Sequence, residues 1–336
     1  MSGAVPSDFL ALPSIDAGLA KGVQEALDDV ESLLRESVSA SDPSINDAAS
    51  HLLSAGGKRF RATLVLLASH FGDPTAPELV RAAAVVELTH VATLYHDDVM
   101  DEAALRRGEP SANQRWGNSV AILTGDYVFA RASEILADLG TDAVRMQART
   151  FGRLVQGQIL ETAGPQDGAD PLEHYLRVIS DKTASLIASS AEFGAMFSGA
   201  GTHITRTITR ACDALGMAFQ LADDILDVAG TSSESGKVPG TDLREGVLTL
   251  PMLYALRPVD GGGADGRLRE LLGRPLDDAE TDEALSLLRS HGAVDEARET
   301  TRQWAEQARA ELATLPHGPP REAFEALCDY AVLRSG

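Results

Sequence analysis

The sequence predicts an all-α protein, and three observations support this fold class. Alanine and leucine are abundant, whereas aromatic residues make up only 5% of the 336 residues. Runs of alternating β-branched residues, which would indicate strands, are missing. Short breaks rich in glycine and proline divide the chain into segments of helical length. No P-loop or dinucleotide-binding glycine motif occurs, so a doubly wound nucleotide-binding fold has no support.

The predicted helices follow one another from break to break. We expect them near residues 15–40, 43–55, 59–71, 75–102, 112–138, 141–163, 171–199, 203–229 and 246–257, with three or four shorter helices after residue 264. The breaks that separate them lie at residues 42–43, 56–57, 72–74, 108–111, 164–165 and 199–201. Two glycine-rich stretches, 230–240 and 258–266, are predicted loops. We interpret residues 1–336 as a single all-α domain, in which about 258–336 form a peripheral C-terminal helical layer.

Composition and charge narrow the function classes. Hydrophobic residues make up 44% and charged residues 24% of the chain, which is typical of soluble globular proteins. No apolar run approaches the length of a membrane span, and the N-terminus lacks the basic region of a secretory signal. The two cysteines, Cys212 and Cys328, are too few for a disulfide framework or a zinc cluster. This cysteine usage fits a reducing setting, so we expect a cytoplasmic protein. The net charge of −21 should repel nucleic acid, so we expect no nucleic-acid partner.

Two aspartate clusters of the form DDxxD stand out, one at residues 97–101 and the other at residues 223–227. On a helix, the first and last aspartates of each cluster lie about one turn apart on the same face. Three like charges late in an apolar helix are locally unfavourable, because they repel one another and oppose the helix dipole. Cations between the two clusters would offset this cost. Oxygen-only ligands select hard ions, so the clusters predict Mg²⁺ that completes its shell with water and substrate phosphates.

Two other interpretations of these clusters were weighed. A single DDxxD is as readily a solvated helix end, but two full copies, each after an apolar helix face, favour a site. A di-iron carboxylate bundle is suggested by Glu87 and His90, which match Glu-x-x-His. That site needs a second such motif, and the sequence has none.

Basic residues are concentrated beside the first cluster. Residues 56–61 (GGKRFR) combine two glycines, which allow close backbone approach to a ligand, with three cations at a predicted helix start. Arg106 and Arg107 follow the first cluster directly, and Lys182 and Lys237 are weaker candidates. In a chain with so few basic residues, this concentration indicates a polyanionic ligand held by Mg²⁺ and basic side chains together.

Taken together, these segments resemble the trans-type (E-) polyprenyl diphosphate synthases. The resemblance rests on GGKRFR, HDDVMDEAALRRGEPS, GDYVFARA, KTASL, FQLADDILD and GKVPGTDLREGVLTLP, which run from about residue 55 to 255. It implies an isoprenoid synthase-type helical bundle around a central cavity, normally a homodimer. It also implies a prenyltransferase, dependent on up to three substrate-bridged Mg²⁺ ions, that condenses an allylic diphosphate with isopentenyl diphosphate.

The same resemblance implies roles for individual residues. The metal ligands would be Asp97, Asp101 and Asp223, supported by Asp98, Asp224 and Asp227. The isopentenyl diphosphate site would contain Lys58, Arg61, His90 and Arg107, and the allylic diphosphate site Arg106, Lys182 and Lys237. Thr183 and Gln220 would lie near the reacting carbons. Two positions depart from the family pattern: Ala62 replaces a common proline, and Val247 replaces a common lysine, which would leave more of the allylic contact to Lys237.

Product length is predicted from the helix that precedes the first cluster. The growing tail should run back along this helix, so that about one residue per turn faces it. The nearest gate residue would be Ala92, with Thr93 beside it and Thr89 deeper, and none of them is bulky. Phe129 or Phe151 is a candidate floor. We therefore expect a medium- or long-chain product. The less favoured alternative is that these small residues only pack against a neighbouring helix.

Three other functions remain open at this point. The first is a short-chain synthase that makes farnesyl or geranylgeranyl diphosphate. The second is a terpene cyclase, which would not need the second diphosphate site that GGKRFR and Arg107 suggest. The third is a non-catalytic subunit of a heteromeric synthase, which the two intact aspartate clusters disfavour.

Overall fold

A computed structural model describes residues 9–11, 14–230, 239–257 and 264–334, and helices dominate these residues. In chain order the α-helices are α1 (Ala17–Val38), α2 (Pro43–Ser54), α3 (Phe60–Ser69), α4 (Leu79–Met100), α5 (Ala112–Trp116), α6 (Asn118–Leu139), α7 (Thr141–Ala163), α8 (Pro171–Ile179), α9 (Ser185–Phe197), α10 (Thr202–Ala229), α11 (Thr241–Glu245), α12 (Leu250–Ala255), α13 (Ala264–Leu271), α14 (Asp278–Arg289), α15 (Gly292–Leu312) and α16 (Pro319–Arg334). A π turn (Ser180–Ala184) joins α8 to α9. The predicted all-α fold class is confirmed.

Several helices begin at aspartates that cap their first turn. Asp42 accepts hydrogen bonds from the backbone N–H groups of Ser44 (2.8 Å) and Ile45 (3.3 Å), so α2 begins where its sequence changes from polar to apolar. Asp277 forms a reciprocal capping box with Glu280 at the start of α14. These aspartates lie at the start of the helices that they cap, whereas the two DDxxD clusters lie near the C-terminal ends of α4 and α10.

Two apolar cores hold the helices together. The larger core contains most of α1 to α4, α6 and α9 together with the first part of α10, and the ends of α15 and α16 join it. The smaller core contains the last part of α10 and the apolar faces of α12, α13 and α14. Helix α10 therefore crosses both cores, and part of the predicted C-terminal layer is built into the larger one. The boundaries of a single domain remain a prediction.

The structure breaks two predicted helices at glycines with positive φ angles. The predicted helix 112–138 is two helices, because Gly117 at φ 82° separates α5 from α6. The predicted helix 246–257 begins only at residue 250, because Gly246 at φ 74° ends the short helix α11. The predicted helix 75–102 also begins later, at Leu79, after a turn that follows Pro74.

A short hairpin follows α4 where only a loop was expected. Strand β1 (Leu105–Arg106) pairs antiparallel with β2 (Glu109–Pro110), and Arg107 and Gly108 form the two-residue turn. Both turn residues have positive φ angles, 55° and 83°, as a hairpin that follows the right-handed strand twist requires. The hairpin lies directly after the first aspartate cluster. Among the described helices, none has both the length and the apolar composition needed to cross a membrane.

Candidate active site

The first aspartate cluster ends α4. Asp97 is partly buried and Asp101 is exposed at the C-cap, where the backbone N–H of Asp101 still donates to the Asp97 carbonyl at 2.8 Å. Burial raises the pKa of Asp97, Lys182 lowers it, and the neighbouring charge of Asp101 raises it further. Asp97 and Asp101 are therefore two carboxylate residues about one helical turn apart, and Lys182 is close enough to Asp97 to lower its pKa.

The middle aspartate of this cluster has a different environment. Asp98 is fully buried, and its Oδ1 atom accepts a hydrogen bond from Arg106 Nε at 2.5 Å. The backbone carbonyl of Asp98 also accepts from Ala103 N at 2.9 Å, which ties the hairpin to the helix end. Within the described part of the chain, Asp98 Oδ2 is buried without a hydrogen-bond partner.

The two arginines of the hairpin bind different parts of the protein. Arg106 turns toward the first cluster through Asp98. Arg107 turns toward the glycine pair before α3, and its Nη1 atom donates to the carbonyls of Leu52 (2.6 Å) and Gly56. Gly57 has a specific role here, because a Cβ atom at this position would lie 2.9 Å from Arg107 Cζ. Arg106 and Arg107 thus have different hydrogen-bond partners, and the separate diphosphate roles that the family resemblance implies for them stay predictions.

A second group of cations lies around the start of α3. Arg61 is partly buried, and among the described residues its Nε atom has no acceptor. Burial lowers the pKa of His90 well below its usual range, and the charges of Arg61 and Arg107 lower it further, which favours the neutral imidazole. A neutral imidazole still has one N–H group that can donate a hydrogen bond. Lys58 is exposed next to them at the same turn.

Two charged residues in this region have structural contacts. Arg59, at φ 47°, binds both oxygens of Glu31, with the shorter contact at 2.8 Å. Glu87 is buried and accepts the Ala62 backbone N–H at 3.0 Å, which satisfies the first turn of α3. The Glu87 carboxylate of the Glu-x-x-His motif therefore caps the first turn of α3.

The π turn carries Lys182 and Thr183. The π turn packs between Gly157 of α7 and Gly216 of α10. A Cβ atom on Gly157 would lie 2.5 Å from Lys182 N, and one on Gly216 would lie 2.7 Å from Ala184 Cα, so a larger residue would clash at either position. Lys182 Nζ forms a short ion pair with Glu161 of α7. The close approach of both helices fixes where these two polar side chains point.

A hydrogen-bonded chain connects the π turn to the second cluster. Thr183 Oγ1 donates to Gln220 Oε1 at 3.1 Å, and Gln220 Nε2 donates to Asp224 Oδ1 at 2.8 Å. Tyr175 donates to the other oxygen of Asp224. Burial raises the pKa of Asp224 to about 7, although these two hydrogen bonds oppose the shift. Asp224 thus anchors Gln220, which in turn orients Thr183.

The other two aspartates of the second cluster have different partners. Asp223 Oδ1 forms an ion pair with Arg334 Nη2 at 2.7 Å, near the end of α16. Asp227 accepts the backbone N–H groups of Thr241 and Asp242, both at 3.1 Å, at the start of α11. Asp227 therefore holds the chain segment that follows the second predicted cluster.

The two clusters occupy the same end of the bundle. Partial burial raises the pKa of Glu245, and the charges of Asp101 and Asp227 raise it further. A single side chain at the end of α11 therefore lies within electrostatic reach of both clusters. Lys182 provides a second connection, because it acts on Asp97 and adjoins Thr183, which is linked to Asp224 through Gln220.

The arrangement of oxygens fits divalent ions that are shared with a substrate. Among the described residues, no three His, Cys, Asp or Glu side chains form a complete ligand set by themselves. The donors available are carboxylates, which suit Mg²⁺, and the unpartnered Oδ2 atom of Asp98 adds a buried acceptor beside them. Oxygens from water and a bound diphosphate would be needed to complete the coordination of any ion held here.

The predicted gate residues lie on two sides of α4. Ala92 is 2% exposed and its backbone faces Gly125 of α6, whereas Thr93 is partly exposed one turn before Asp97. Thr89 is fully buried. The candidate floor residues stack on each other, with the ring centroids of Phe129 and Phe151 4.2 Å apart. Lys237 lies outside the described residues.

Sequence reasoning missed several side chains that complete this region. They are Tyr175, Glu161, Glu245 and Arg334. Each lies close to a predicted residue through a tertiary contact, and three of the four belong to none of the motifs singled out in the sequence. Only Glu245 had a signal, since it stands in the segment DLREG that was part of the family resemblance.

Comparisons with known proteins identify the family to which the chain belongs. A profile of the polyprenyl synthetase family matches residues 42–288. The nonaprenyl diphosphate synthase of Mycobacterium tuberculosis is 50% identical over 323 residues, which cover 96% of each chain. The crystal structure of geranylgeranyl pyrophosphate synthase from Corynebacterium glutamicum, complexed with calcium and isoprenyl diphosphate, is 45% identical and covers 96% of this chain and 98% of its own, with a TM-score of 0.85. The crystal structure of a decaprenyl diphosphate synthase from Rhodobacter capsulatus is 36% identical and covers 95% of this chain and 99% of its own, with a TM-score of 0.86. The chain therefore belongs to the polyprenyl synthetase family, as its motifs predicted.

Proposed function

We propose that this protein is a Mg²⁺-dependent trans-prenyltransferase that condenses an allylic diphosphate with isopentenyl diphosphate into medium- or long-chain polyprenyl diphosphates. The observation that carries the proposal is the shared environment of the two aspartate clusters beside two separately oriented arginines. The charges of Asp101 and Asp227 both raise the pKa of Glu245, so this side chain lies near both clusters. Arg106 and Arg107 of the hairpin bind different partners, Asp98 and the Leu52 carbonyl. A site for two diphosphates needs this division of positive charge.

The allylic diphosphate would bind between the clusters. Asp97, Asp101 and Asp223 would hold the divalent ions, which neutralise charge on the leaving diphosphate oxygens when they are bound. Lys182 is a direct cationic contact for the same diphosphate, because it already lies within reach of Asp97. Arg106 stays bound to buried Asp98, so its remaining N–H groups are held in one orientation.

Isopentenyl diphosphate would bind at the start of α3. Lys58, Arg61 and Arg107 supply positive charge there, and His90 supplies a neutral donor. The buried Nε atom of Arg61 lacks an acceptor in the described residues, and an incoming phosphate oxygen would provide one. A neutral histidine also avoids adding repulsion between cations when the site is empty.

The chemistry requires ionisation of the allylic substrate, attack by the acceptor double bond, and loss of a proton. Departure of the diphosphate leaves an allylic cation, and the protein must place the acceptor beside it and exclude water. The Gln220 carbonyl and the Thr183 hydroxyl lie near the allylic end, oriented by Asp224. Their oxygens would stabilise the developing positive charge, and the departing diphosphate would take up the proton.

A medium or long product agrees with the gate positions. Ala92 and Thr93 place no bulky side chain in the first turn before Asp97. The 50% identical relative is named for a nonaprenyl product, and the Rhodobacter structure for a decaprenyl product. The Corynebacterium structure, named for a geranylgeranyl product, keeps the short-chain alternative as a distinct outcome of the assay.

The direct test combines purified protein, Mg²⁺ and labelled isopentenyl diphosphate with dimethylallyl, geranyl or farnesyl diphosphate in turn. We expect label in products longer than geranylgeranyl diphosphate, and loss of all incorporation when a chelator removes the metal. Products no longer than geranylgeranyl diphosphate would identify a short-chain synthase. Release of hydrocarbon from the allylic substrate alone would identify a cyclase and contradict the proposal.

We also propose that the protein is a homodimer paired through α6 and α7. These two helices expose six large apolar side chains, which is unusual for a free surface. They are Val120, Ile122, Leu123, Val144, Val155 and Ile159. A second copy would cover them and leave both aspartate clusters accessible.

The dimer is tested with Leu123→Glu, which places a charge on a side chain that is 66% exposed. We expect the mass measured by light scattering to fall from that of two chains to that of one. Ile45→Glu is the matched control, because Ile45 is 48% exposed on α2, and it should not change the mass. A wild-type protein of single-chain mass would refute the proposed assembly.

A further inference from the structure

The β1–β2 hairpin needs support from the helices around it. Each of its strands has two residues, and four of its six residues are exposed, so its own pairing and burial stabilise it little. At its turn, Arg107 has a φ angle of 55°, which is strained for a residue other than glycine. Such a conformation persists only where surrounding contacts hold it. The positions of both hairpin arginines therefore depend on what binds the hairpin from outside.

Helix α2 holds the second strand of the hairpin, whereas Asp98 at the end of α4 holds the first. His51 Nε2 lies 2.8 Å from the Pro110 carbonyl oxygen. The carbonyl of the next residue, Leu52, accepts a hydrogen bond from Arg107 Nη1 at 2.6 Å. Two consecutive residues of α2 therefore bind the hairpin, one at the end of its second strand and one at its turn.

The partners of His51 determine which of its nitrogens carries the proton. A carbonyl oxygen can only accept a hydrogen bond, so Nε2 is the donor to Pro110. A guanidinium group can only donate, so Nδ1 accepts from Arg115 Nη1 at 3.1 Å. Both contacts are satisfied together only by the neutral imidazole with its proton on Nε2.

The imidazole ring is also held in one orientation. His51 is 7% exposed, and its ring lies nearly perpendicular to that of Trp116, with the ring centroids 5.1 Å apart. Arg115, the donor to Nδ1, lies over the same indole at 4.4 Å from its centroid. Helix α5 therefore fixes a ring whose N–H group binds the hairpin. A leucine would fill the same space but could not bind the strand.

We propose that His51 is a positioning residue for isopentenyl diphosphate, an inference that rests on the proposed prenyltransferase function. Its Nε2–H group holds the second strand of the hairpin and thereby the strained turn, so that Arg107 stays beside Gly57 at the start of α3. Loss of this donor releases the strand, and Arg107 is then displaced from the diphosphate site for part of the time. The affinity for isopentenyl diphosphate falls, whereas ionisation of the allylic substrate at the aspartate clusters changes less.

Two amide variants separate the roles of the two ring nitrogens. The amide of His51→Gln reaches the position of Nε2 and can donate to the Pro110 carbonyl. The shorter amide of His51→Asn reaches only the position of Nδ1 and leaves that carbonyl without its donor. Calorimetry with isopentenyl diphosphate alone measures binding without turnover. We expect the dissociation constant to rise about tenfold in His51→Asn and His51→Leu, and less than about threefold in His51→Gln. In steady-state assays, KM for isopentenyl diphosphate should change more than kcat.

Hydrogen exchange tests the anchor independently of substrate. The amides of residues 103–111 should exchange faster in His51→Asn and His51→Leu than in the wild-type protein, and His51→Gln should retain slow exchange. His291→Leu is the control, because His291 Nδ1 accepts the Ala293 N–H at 3.0 Å at the start of α15 and not in the hairpin. It should lower the free energy of unfolding but change neither the dissociation constant nor exchange in the hairpin.

The outcomes are distinct. Equal dissociation constants in folded His51→Asn and His51→Gln would overturn the proposal, because a residue that only fills space would not distinguish them. Unchanged hairpin exchange in His51→Leu would also overturn it, and if that variant does not fold, His51→Asn gives the same comparison. A wild-type protein that neither binds nor incorporates isopentenyl diphosphate would instead contradict the proposed function, while exchange would still show whether His51 holds the hairpin.

Discussion

The first aspartate cluster (97–101) and the second (223–227) share the letters DDxxD but differ in what their side chains contact. In the first cluster the outer aspartates, Asp97 and Asp101, face the site, and only Asp98 is buried against an arginine. In the second cluster Asp224 is buried in a hydrogen-bonded chain and Asp227 caps α11. All three aspartates of the second cluster thus have partners within the protein, Asp223 through its ion pair with Arg334, whereas in the first cluster the buried partner contact is that of Asp98 with Arg106.

This difference shows that the environment, and not the motif, assigns the role of each carboxylate. Burial and the like charge of Asp101 raise the pKa of Asp97. A bound cation would stabilise the charged carboxylate in this environment. Burial also raises the pKa of Asp224, but Tyr175 and Gln220 donate hydrogen bonds to its carboxylate. The hydrogen-bonding needs of Asp224 are therefore met within the protein. The same substitution should therefore have opposite consequences in the two clusters.

The largest expected effect is that of Asp97→Ala on catalysis. Loss of this carboxylate should lower kcat by about 10³-fold, because charge stabilisation at the leaving group is removed. The free energy of unfolding should stay the same or rise, since a desolvated charge beside Asp101 disappears. Steady-state kinetics and chemical denaturation check both parts. Asp295→Ala, at an exposed position on α15, is the control.

An Asp97→Ala protein that retains more than a tenth of wild-type kcat would contradict the site. It would mean that the outward carboxylates of the first cluster do not take part in the reaction.

Asp224→Ala should have its larger effect on stability. It leaves the Tyr175 hydroxyl and the Gln220 amide buried without their acceptor, which should cost about 2–3 kcal/mol of unfolding free energy. Urea denaturation measures this change. Catalysis should fall less than in Asp97→Ala, because Thr183 and Gln220 lose orientation but remain present. Equal stability of Asp224→Ala and wild type would show that the two clusters are equivalent after all.

Asp227→Ala should have the smallest and most local effect. The side chain accepts the backbone N–H groups of Thr241 and Asp242, so its loss should cost about 1 kcal/mol. Hydrogen exchange should accelerate in α11 and stay unchanged in α6. Faster exchange spread over the whole chain would mean that Asp227 supports the global fold.

Local patterns in the sequence were sufficient for most helices and for the placement of both clusters at helix ends. They were insufficient at Gly117 and Gly246, where one residue with a positive φ angle ends a helix. The hairpin at Arg107 and Gly108 was also missed, because glycine was interpreted only as a break and the preceding arginine is not a usual turn residue.

The partners of the site could not be predicted for a different reason. Tyr175, His51 and Arg334 reach their partners through tertiary contacts between distant segments, and no spacing rule connects them. Lys182 was predicted from its motif, but the π turn that directs it has no sequence signal that helical periodicity would reveal.

That π turn has a wider consequence for how the molecule is assembled. One extra residue wound into a turn rotates everything beyond it by about 100° relative to an uninterrupted helix. Helix α8 consequently directs Ile179 and Tyr175 into the smaller core, while α9 directs Leu186 and Phe193 into the larger one. The continuous segment of α8, the π turn and α9 therefore contacts both apolar cores. Deletion of one residue from the π turn would rotate α8 relative to α9, and one of the two helices would lose its core contacts.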